Sequence, residues 1–359
     1  MAEIPEIKHI LDNSSRILLV CDKTKNSFDF LVATASLFYT LKKIGKIVNC
    51  HPQEIAAHFP ILASPVKDLK NFILTINNDA GIISDIYYQK SPRELKLFLT
   101  ITDGDIKTDD IHFSHLDEDH EFEPDLVITL GIKSLESLDD FYETNFKFFS
   151  QKPILNLDNH PKNQEYGKIN IVEENSSFSG LVIKLIKSIN QSIIDQDMAT
   201  NLFWGILNYH KGRGITVDSL RSLIYLKNKG AEVRKIPSLL NANFDQKEKE
   251  IIELVLSNIN LNKTLGMPII VIPKNKIREK SDVLSAVNFL RTEEFFLPSF
   301  VLLWKTENAV GGIMYSADNS KTKRVAEYFN GGVKQDRVIF SVPFVDLQTA
   351  QNQLLKALR

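Results

Sequence analysis

Alternating blocks of apolar and polar residues in the first 50 positions predict a strand, a helix and a second strand. The apolar run at 16–20 is typical of a buried strand, and a polar loop follows at 22–27. Apolar residues then recur at helical spacing until Gly45, and 47–50 predicts the next strand. A strand–helix–strand order of this kind predicts the start of a parallel sheet.

Later apolar runs extend the same sheet. Residues 125–130 and 154–157 predict buried strands, and helical spacing returns near 178–190 and 193–209. We therefore expect an α/β domain with a mostly parallel sheet over residues 1–215.

The pattern changes to strict alternation between residues 69 and 113. Apolar side chains occupy every second position at Phe72, Leu74 and Ile76, and again at Leu95, Leu97, Leu99 and Ile101. Turn residues lie at 77–81 and 89–93. This segment is predicted to be a β-hairpin or short meander inserted into the first domain.

The rest of the chain predicts a helical linker at 216–262 and a smaller α/β domain with a mixed sheet at 263–359. The predicted strands of that domain are 269–272, 299–304, 310–316 and 338–342, and its predicted helices are 281–291, 320–329 and 346–358.

Composition narrows the class of protein. The chain has 359 residues, 43% of them hydrophobic, and a net charge of −2 from 43 basic and 45 acidic residues. Any contact with nucleic acid must therefore use a local basic patch. The two cysteines, Cys21 and Cys50, lie in apolar surroundings and suggest buried thiols in a reducing compartment. The acidic start does not resemble a signal peptide and no apolar run is as long as a membrane span, so we predict a cytoplasmic protein without membrane contact.

Candidate chemistry follows the predicted strand at 154–157. Asp158, Asn159 and His160 come directly after it, where open α/β sheets place their ligand sites. Ser176, Ser177 and Ser179 precede the next helix, and a helix N-terminus can bind phosphate. The simpler alternative is a capped strand end with a hydrogen-bonded imidazole.

The order of motifs resembles the DHH phosphoesterases with a C-terminal DHHA1 domain, in particular the nanoRNase/pAp-phosphatase and RecJ-like branch. The Asp-His-His motif of the family corresponds to Asp158, Asn159 and His160. Its His-x-x-x-Asp-x-Asp motif falls on Lys23, Ser27 and Asp29, its single strand-end Asp on Gly131, and its last Asp on Tyr209.

The second domain keeps part of the DHHA1 pattern. The Ser of the family's Ser-x-Arg motif is Ser316, while Asp318 replaces the Arg. Of the Gly-Gly-Gly-His loop, Gly331 and Gly332 remain and the His is lost.

The resemblance implies a pair of divalent ions, usually manganese, held by His and carboxylate ligands. Only Asp29, Asp158 and His160 remain of that set. An ammonium group at Lys23 cannot ligate and repels a cation, and Gly131 has no side chain to bridge two ions. We therefore expect no cofactor, with Mn²⁺ or Mg²⁺ needed only if the chain is active.

A different use of the same positions is that Lys23 pairs with Asp29 or Asp158 in place of a metal. Phosphate would then bind Lys23, Asn26, Asn159, Ser177 and Ser179, and a nucleotide would approach Ser316, Gly331 and Gly332. Asp29 is explained nearly as well as a helix N-cap. The segment Lys211-Gly212-Arg213-Gly214 either contacts phosphate or is a turn after a helix.

Three functions remain open from the sequence. The first is a divergent DHH/DHHA1 protein without phosphodiesterase activity that binds a nucleotide or short single-stranded RNA between its domains. The second is an active metal-dependent phosphoesterase with atypical ligands, acting on short RNA or pAp-like substrates. The third is a protein-interaction scaffold that uses the insertion, and a homodimer is compatible with each.

Overall fold

The computed structural model describes residues 4–52, 72–76, 81–91, 94–115, 122–240, 244–262, 264–274, 276–277, 279–293, 295–334 and 336–358. The chain divides into two compact units, one formed by Met1–Ala63 and Pro124–Arg359 and the other by Ser64–Glu123. Within the described part of the chain, every helix is too short or too polar to cross a lipid bilayer.

The strands, in chain order, are β1 (Arg16–Cys21), β2 (Ile47–His51), β3 (Phe72–Ile76), β4 (Gly81–Lys90), β5 (Leu95–Gly104), β6 (Ile111–His115), β7 (Leu126–Leu130), β8 (Ile154–Asp158), β9 (Ile169–Val172), β10 (Ile259–Asn262), β11 (Met267–Ile272), β12 (Phe300–Lys305), β13 (Ala309–Tyr315), β14 (Gly332–Lys334) and β15 (Arg337–Pro343).

The α-helices are α1 (Ile4–Asp12), α2 (Phe28–Lys43), α3 (Asp140–Thr144), α4 (Phe146–Gln151), α5 (Phe178–Ile189), α6 (Gln196–His210), α7 (Val217–Asn228), α8 (Ile236–Leu240), α9 (Gln246–Asn258), α10 (Lys280–Phe289), α11 (Asn319–Phe329) and α12 (Leu347–Ala357). Single 3₁₀ turns occur at Thr108–Asp110, Leu135–Leu138 and Val233–Lys235.

The first sheet is wholly parallel, in the order β2-β1-β7-β8-β9. All residues of β7 and β8 are buried, because both faces of a parallel sheet are covered by its crossover helices. The predicted strand–helix–strand start and the parallel sheet are confirmed. The sequence pattern missed β9, a short edge strand that alternates apolar and polar residues.

The free thiols Cys21 and Cys50 lie on neighbouring strands of this sheet. Cys21 is buried as predicted, whereas Cys50 is only partly buried. Burial raises the pKa of the Cys21 thiol well above its usual value. A cytoplasmic location stays a prediction.

The segment after the first sheet is helical through α7, α8 and α9, as expected for 216–262 except at its end. The last four residues form β10, which pairs antiparallel with β11. The prediction of helix at 259–262 is therefore wrong. Ile259 and Leu261 alternate with two asparagines, as in a strand. They follow the apolar residues of α9 without a break, and this made the segment look like a continuation of the helix.

The second sheet is mixed, in the order β10-β11-β12-β13-β15-β14, with only β11 and β12 parallel. Its two faces belong to two cores. Ile269, Val301 and Met314 pack with α11 and α12 on one side, while Ile270 and Leu302 join the large core shared with the first sheet. Both sheets are therefore parts of one compact unit.

The described part of the smaller unit contains two separate two-stranded antiparallel sheets. Strand β3 pairs with β6, and β4 pairs with β5 from Gly81–Gly104 to Lys90–Leu95. The connection at the tip is closed by the bond from Ser91 N to Glu94 O, 2.8 Å. Of the predicted turns, 77–80 and 92–93 lie outside the described residues, while Gln89 belongs to β4.

Candidate functional site

Three loops meet at one edge of the parallel sheet. The register pairs Cys21 with Leu130, and Leu130 with Leu157. The loops that leave β1, β7 and β8 therefore start side by side, as the carboxyl ends of parallel strands do. The sequence-predicted positions of the first domain lie on these loops and at the N-termini of α2 and α5, except Tyr209, which lies near the end of α6.

Lys25 occupies the centre of this edge. Its Nζ lies 3.6 Å from Asp158 Oδ1 and 3.8 Å from Asp22 Oδ2. It donates a hydrogen bond to the carbonyl oxygen of Gly131 and lies 5.0 Å from the centroid of the Phe178 ring. The Asp158 side chain is 0% exposed and that of Lys25 28%. Lys25 is therefore the cation that compensates the buried Asp158 carboxylate.

The predicted pairing of Lys23 with Asp29 or Asp158 is wrong. The Lys23 side chain is 64% exposed, and its Nζ lies 3.8 Å from Asp139 Oδ2. The bond from Lys25 N to Asp22 O, 3.2 Å, marks a turn in the loop. This turn directs Lys25 inward and Lys23 to solvent. Lys25 was missed because the motif spacing fixes a position in sequence but not the direction of a side chain in a loop.

Gly131 lies where a bridging carboxylate would be required. Its φ is +75°, and a Cβ there would lie 2.8 Å from Phe30 Cε2 and 3.0 Å from Lys25 Nζ. Glycine avoids both the strained backbone and these two contacts. The position is therefore closed to a carboxylate side chain as long as Lys25 holds its place.

Asp158 is held by neutral donors on its other side. Its Oδ1 accepts from Asn159 N at 2.8 Å and its Oδ2 from Asn163 Nδ2 at 2.8 Å. The Asn163 amide group also donates to Ile132 O and accepts from Asn156 Nδ2. Every described partner of Asp158 thus stabilises a fixed carboxylate geometry.

A polar network beneath this carboxylate was missed from the sequence. The Tyr166 hydroxyl lies 2.8 Å from Thr129 Oγ1, and the Thr129 hydroxyl donates to Asn156 Oδ1 at 3.3 Å. Asn156 Nδ2 donates to Asn170 Oδ1 at 3.0 Å. The available signal was the lone polar residue Asn156 inside the apolar run at 154–157.

Asp29 is buried in the first turn of α2 and caps a different helix. Its Oδ2 accepts from Phe178 N at 2.7 Å and its Oδ1 from Ser179 N at 3.0 Å, at the start of α5. Burial raises the pKa of Asp29 to about 6, against the lowering effect of these hydrogen bonds. The N-cap of α2 itself is Ser27, which accepts from Phe30 N. Asp29 is therefore a helix-capping residue, although not of its own helix.

The same bonds occupy the helix start that was predicted to bind phosphate. The N–H groups of Phe178 and Ser179 donate to Asp29, and that of Gly180 donates to Ser177 Oγ. Ser177 and Ser179 are both buried. These three N–H groups are therefore already engaged within the chain, and phosphate binding at this helix start stays a prediction.

The remaining predicted positions of the first domain are spread around this edge. Asn159 Nδ2 donates to Ser176 O at 2.8 Å. His160 is partly buried, and its Nδ1 accepts from Lys162 N at 3.0 Å. Asn26 is exposed. Asn159 thus ties the loop after β8 to the start of α5, while His160 makes no described contact with Asp29 or Asp158.

Tyr209 begins a group of arginines and aromatic rings that runs into the second domain. Arg213 Cζ lies 4.8 Å from the Tyr209 ring centroid. Burial raises the pKa of Tyr209, the positive charge of Arg213 opposes this rise, and the negative charge of Asp29 adds to it. The segment 212–215 bonds to the loop before β12 through Gly212 N to Glu293 O and Ile215 N to Phe296 O.

That loop leads to two further arginines. Arg291 Cζ lies 4.9 Å from the Phe296 centroid and 5.0 Å from the Tyr315 centroid. Arg337 Nη1 donates to the Tyr315 hydroxyl at 2.6 Å, and Arg291 Nη2 lies 3.3 Å from Asp336 Oδ2. Tyr315 itself is buried. We call Tyr209, Arg213, Arg291, Phe296 and Arg337 the arginine–aromatic surface.

The predicted positions of the second domain have structural roles. Ser316 is buried, and its Oγ accepts from Asp318 N at 3.1 Å, while Asp318 is the N-cap of α11. Gly331 N donates to Ala326 O at 2.8 Å, and Asn330 at φ +51° ends α11. Gly332 starts β14.

The donor atoms present do not fit the divalent metals that the family resemblance implies. Lys25 places a positive charge between the strand ends, Gly131 offers no side chain, and the oxygens of Asp29 are used by helix N–H groups. Hard cations require several converging oxygen or imidazole ligands. Within the described ranges, no three His, Cys, Asp or Glu side chains come together as a metal site.

Solved structures that show a likeness to this chain at low sequence identity include three proteins. An exopolyphosphatase-related protein from Bacteroides fragilis is 19% identical over 99% of this chain and 95% of its own, with a TM-score of 0.40. A DHH domain described as a member of the s1p family of ribosomal proteins is 12% identical over 100% and 91%, with a TM-score of 0.32. Exonuclease RecJ bound to manganese is 10% identical over 100% and 95%, with a TM-score of 0.30.

The descriptions of these proteins include the DHH domain and RecJ, which the motifs of this chain also resemble. Their identities to this chain are below 25% and their TM-scores are below 0.5. No family model matches the sequence. No curated protein matches it significantly.

Proposed function

We propose that this chain is a phosphoesterase-like protein that binds a nucleotide or a short single-stranded RNA and does not hydrolyse it. The observation that carries the proposal is the Lys25 ammonium group between Asp158, Asp22 and the Gly131 carbonyl.

Loss of hydrolysis is supported by charge. A metal-activated water needs a divalent ion next to the attacked phosphorus. A fixed ammonium group about 4 Å away from such an ion would repel it by several kcal/mol at protein-surface dielectric. The Asp158 carboxylate is already compensated by Lys25, so it has less charge to offer a metal.

Ligand binding is supported by the arginine–aromatic surface. Arg213, Arg291 and Arg337 bring three guanidinium groups against one described carboxylate partner, Asp336. Guanidinium groups bind phosphate with two parallel hydrogen bonds. Half-buried rings such as Tyr209 and Phe296 are of the kind on which unpaired bases stack.

The hydrolysis half is tested with purified full-length protein, manganese, short oligoribonucleotides and pAp. We expect no turnover, and no tightly held manganese after gel filtration. Turnover that is lost in Asp158→Ala would contradict this half and support the active phosphoesterase.

The binding half is tested by fluorescence anisotropy with a labelled five-nucleotide RNA. We expect Arg213→Ala and Arg291→Ala each to weaken binding about tenfold, which corresponds to about 1.4 kcal/mol. Arg221→Ala is the matched control, because Arg221 lies on α7 and pairs with Asp218 on an exposed face. Equal effects of all three variants, or no binding by the wild type, would contradict this half.

A further inference from the structure

The ribbon of β4 and β5 exposes one continuous apolar face. The register places Ile86 opposite Leu99, Tyr88 opposite Leu97, and Lys90 opposite Leu95. Side chains alternate between the two faces of a strand, and the register shift between Ile83 and Asp85 places Ile83 on the face of its partner Ile101. The following residues therefore share a face: Ile83, Ile86, Tyr88, Leu95, Leu97, Leu99 and Ile101. We call them the apolar stripe.

The stripe is open to solvent in this chain. Ile86 and Tyr88 are each 63% exposed, and Leu95 is 62% exposed. The opposite face differs, because its aromatic pair Tyr87–Phe98, 5.5 Å between centroids, is surrounded by polar side chains. A two-stranded ribbon with an uncovered apolar face is marginally stable in water, and an apolar patch of this kind marks an interaction surface.

We propose that the apolar stripe is covered by the stripe of a second copy of this chain, in a two-fold symmetric dimer. The area is sufficient for this. Five of the seven side chains are between 37% and 63% exposed. Covering the stripe would bury on the order of 500 Å² per copy, and two copies together reach the roughly 1,000 Å² that a specific interface requires.

Charge favours a second copy over an unrelated partner. The sequence at the tip of the ribbon contains Lys90, Glu94 and Lys96, and the Lys96 Nζ lies 3.1 Å from Glu94 Oε2, so one basic charge is left over. The base carries the exposed Asp103, Asp105 and Asp109 with one exposed lysine, Lys107, and keeps a net negative charge. In an antiparallel two-fold arrangement the basic tip of one copy lies beside the acidic base of the other. The ribbon is thus complementary to itself, as an interface between identical copies must be.

The dimer is tested by sedimentation of the full chain between about 1 and 100 µM, the range in which interfaces of this size are occupied. We expect twice the mass of 40.9 kDa. Tyr88→Ser with Leu97→Ser removes one cross-strand pair of the stripe, and this variant is expected to be monomeric. Tyr87→Ser with Phe98→Ser is the matched control on the opposite face and is expected to remain dimeric.

Charge reversal distinguishes the second copy from other occupants. Lys90→Glu with Lys96→Glu, or Asp103→Lys with Asp105→Lys, should each weaken self-association at least tenfold, and a mixture of the two variants should restore it as a heterodimer. Circular dichroism checks that each variant is folded. A monomeric wild type at 100 µM, equal loss with both face variants, or no restoration in the mixture would overturn the proposal.

Discussion

Lys25 and Lys23 lie two positions apart on one loop and have different surroundings. Lys25 faces the fully buried Asp158, whereas Lys23 faces solvent and Asp139. Removing one partner of a buried ion pair leaves an uncompensated charge, while an exposed pair contributes little.

Lys25→Met is therefore expected to lower the free energy of unfolding by about 1–3 kcal/mol, less than for a fully enclosed pair because Lys25 is partly exposed. Lys23→Met is the control, with an expected change within about 0.5 kcal/mol. Urea denaturation at pH 7 measures both. Equal losses in the two variants would contradict the assignment of Lys25 as the internal cation.

Asp29 gives the molecule a pH dependence of defined sign. Its pKa is raised from 3.8 to about 6 by burial. Between about pH 4 and pH 6 the folded state therefore keeps a proton on Asp29 that the unfolded state has lost. This proton contributes to the free energy of unfolding fully below about pH 4, and the contribution is lost as the pH rises through 6. The expected loss is on the order of 3 kcal/mol.

Residue 29 does not titrate in the Asp29→Asn variant. The free energy of unfolding of the wild type, measured relative to this variant, should therefore fall between pH 4 and pH 7. Denaturant unfolding at both pH values gives this difference. A difference that stays constant, or shifts towards the wild type, is incompatible with the raised pKa.

At the scale of the elements, α6 passes close to the start of α5. A Cβ at Gly205 would lie 2.3 Å from Ser179 Oγ and 3.2 Å from Asp29 Oδ1. Ser179 is fully buried, so its hydroxyl has little space to turn away. The glycine is needed for the contact of these two helices.

Gly205→Ala is expected to lower the free energy of unfolding by about 1–3 kcal/mol from overpacking, despite the better helix propensity of alanine. Adding Ser179→Ala removes the nearest atom and should recover most of the loss. Gly332→Ala is the control, since nothing lies within 4 Å of a Cβ there. Thermal unfolding of the three variants checks this, and a neutral Gly205→Ala would refute it.

Long apolar runs predicted the central strands β1, β7 and β8, because burial on both faces requires continuous hydrophobic residues. Short edge strands such as β9 and β10 carry too few residues for a period to emerge. In the site, the strand ends fixed the place of Asp158, but loop geometry decided between Lys23 and Lys25. Periodicity contains no information on a loop, which explains that error.

At the scale of the whole molecule, the smaller unit is independent of the two hydrophobic cores. All described residues of both cores lie outside residues 64–123. Strand β2 precedes residues 64–123 and strand β7 follows them. Both strands pair with β1.

Replacing residues 64–123 by a Gly/Ser linker of about 12 residues, which can span some 40 Å, should leave a cooperatively folding protein. Its melting temperature is expected within a few degrees of the wild type, since no described core residue is removed. Differential scanning calorimetry measures this. Loss of the cooperative transition would show that the larger unit depends on the segment.

The closed space at Gly131 makes this position depend on Lys25. A carboxylate introduced at position 131 would contact Phe30 and the Lys25 ammonium group. Removing the Lys25 side chain alone would leave the buried Asp158 carboxylate without a compensating cation. Neither replacement by itself opens an ion-binding pocket, because each one is harmful when it is made alone. Positions 25 and 131 are therefore expected to tolerate change only when both change together.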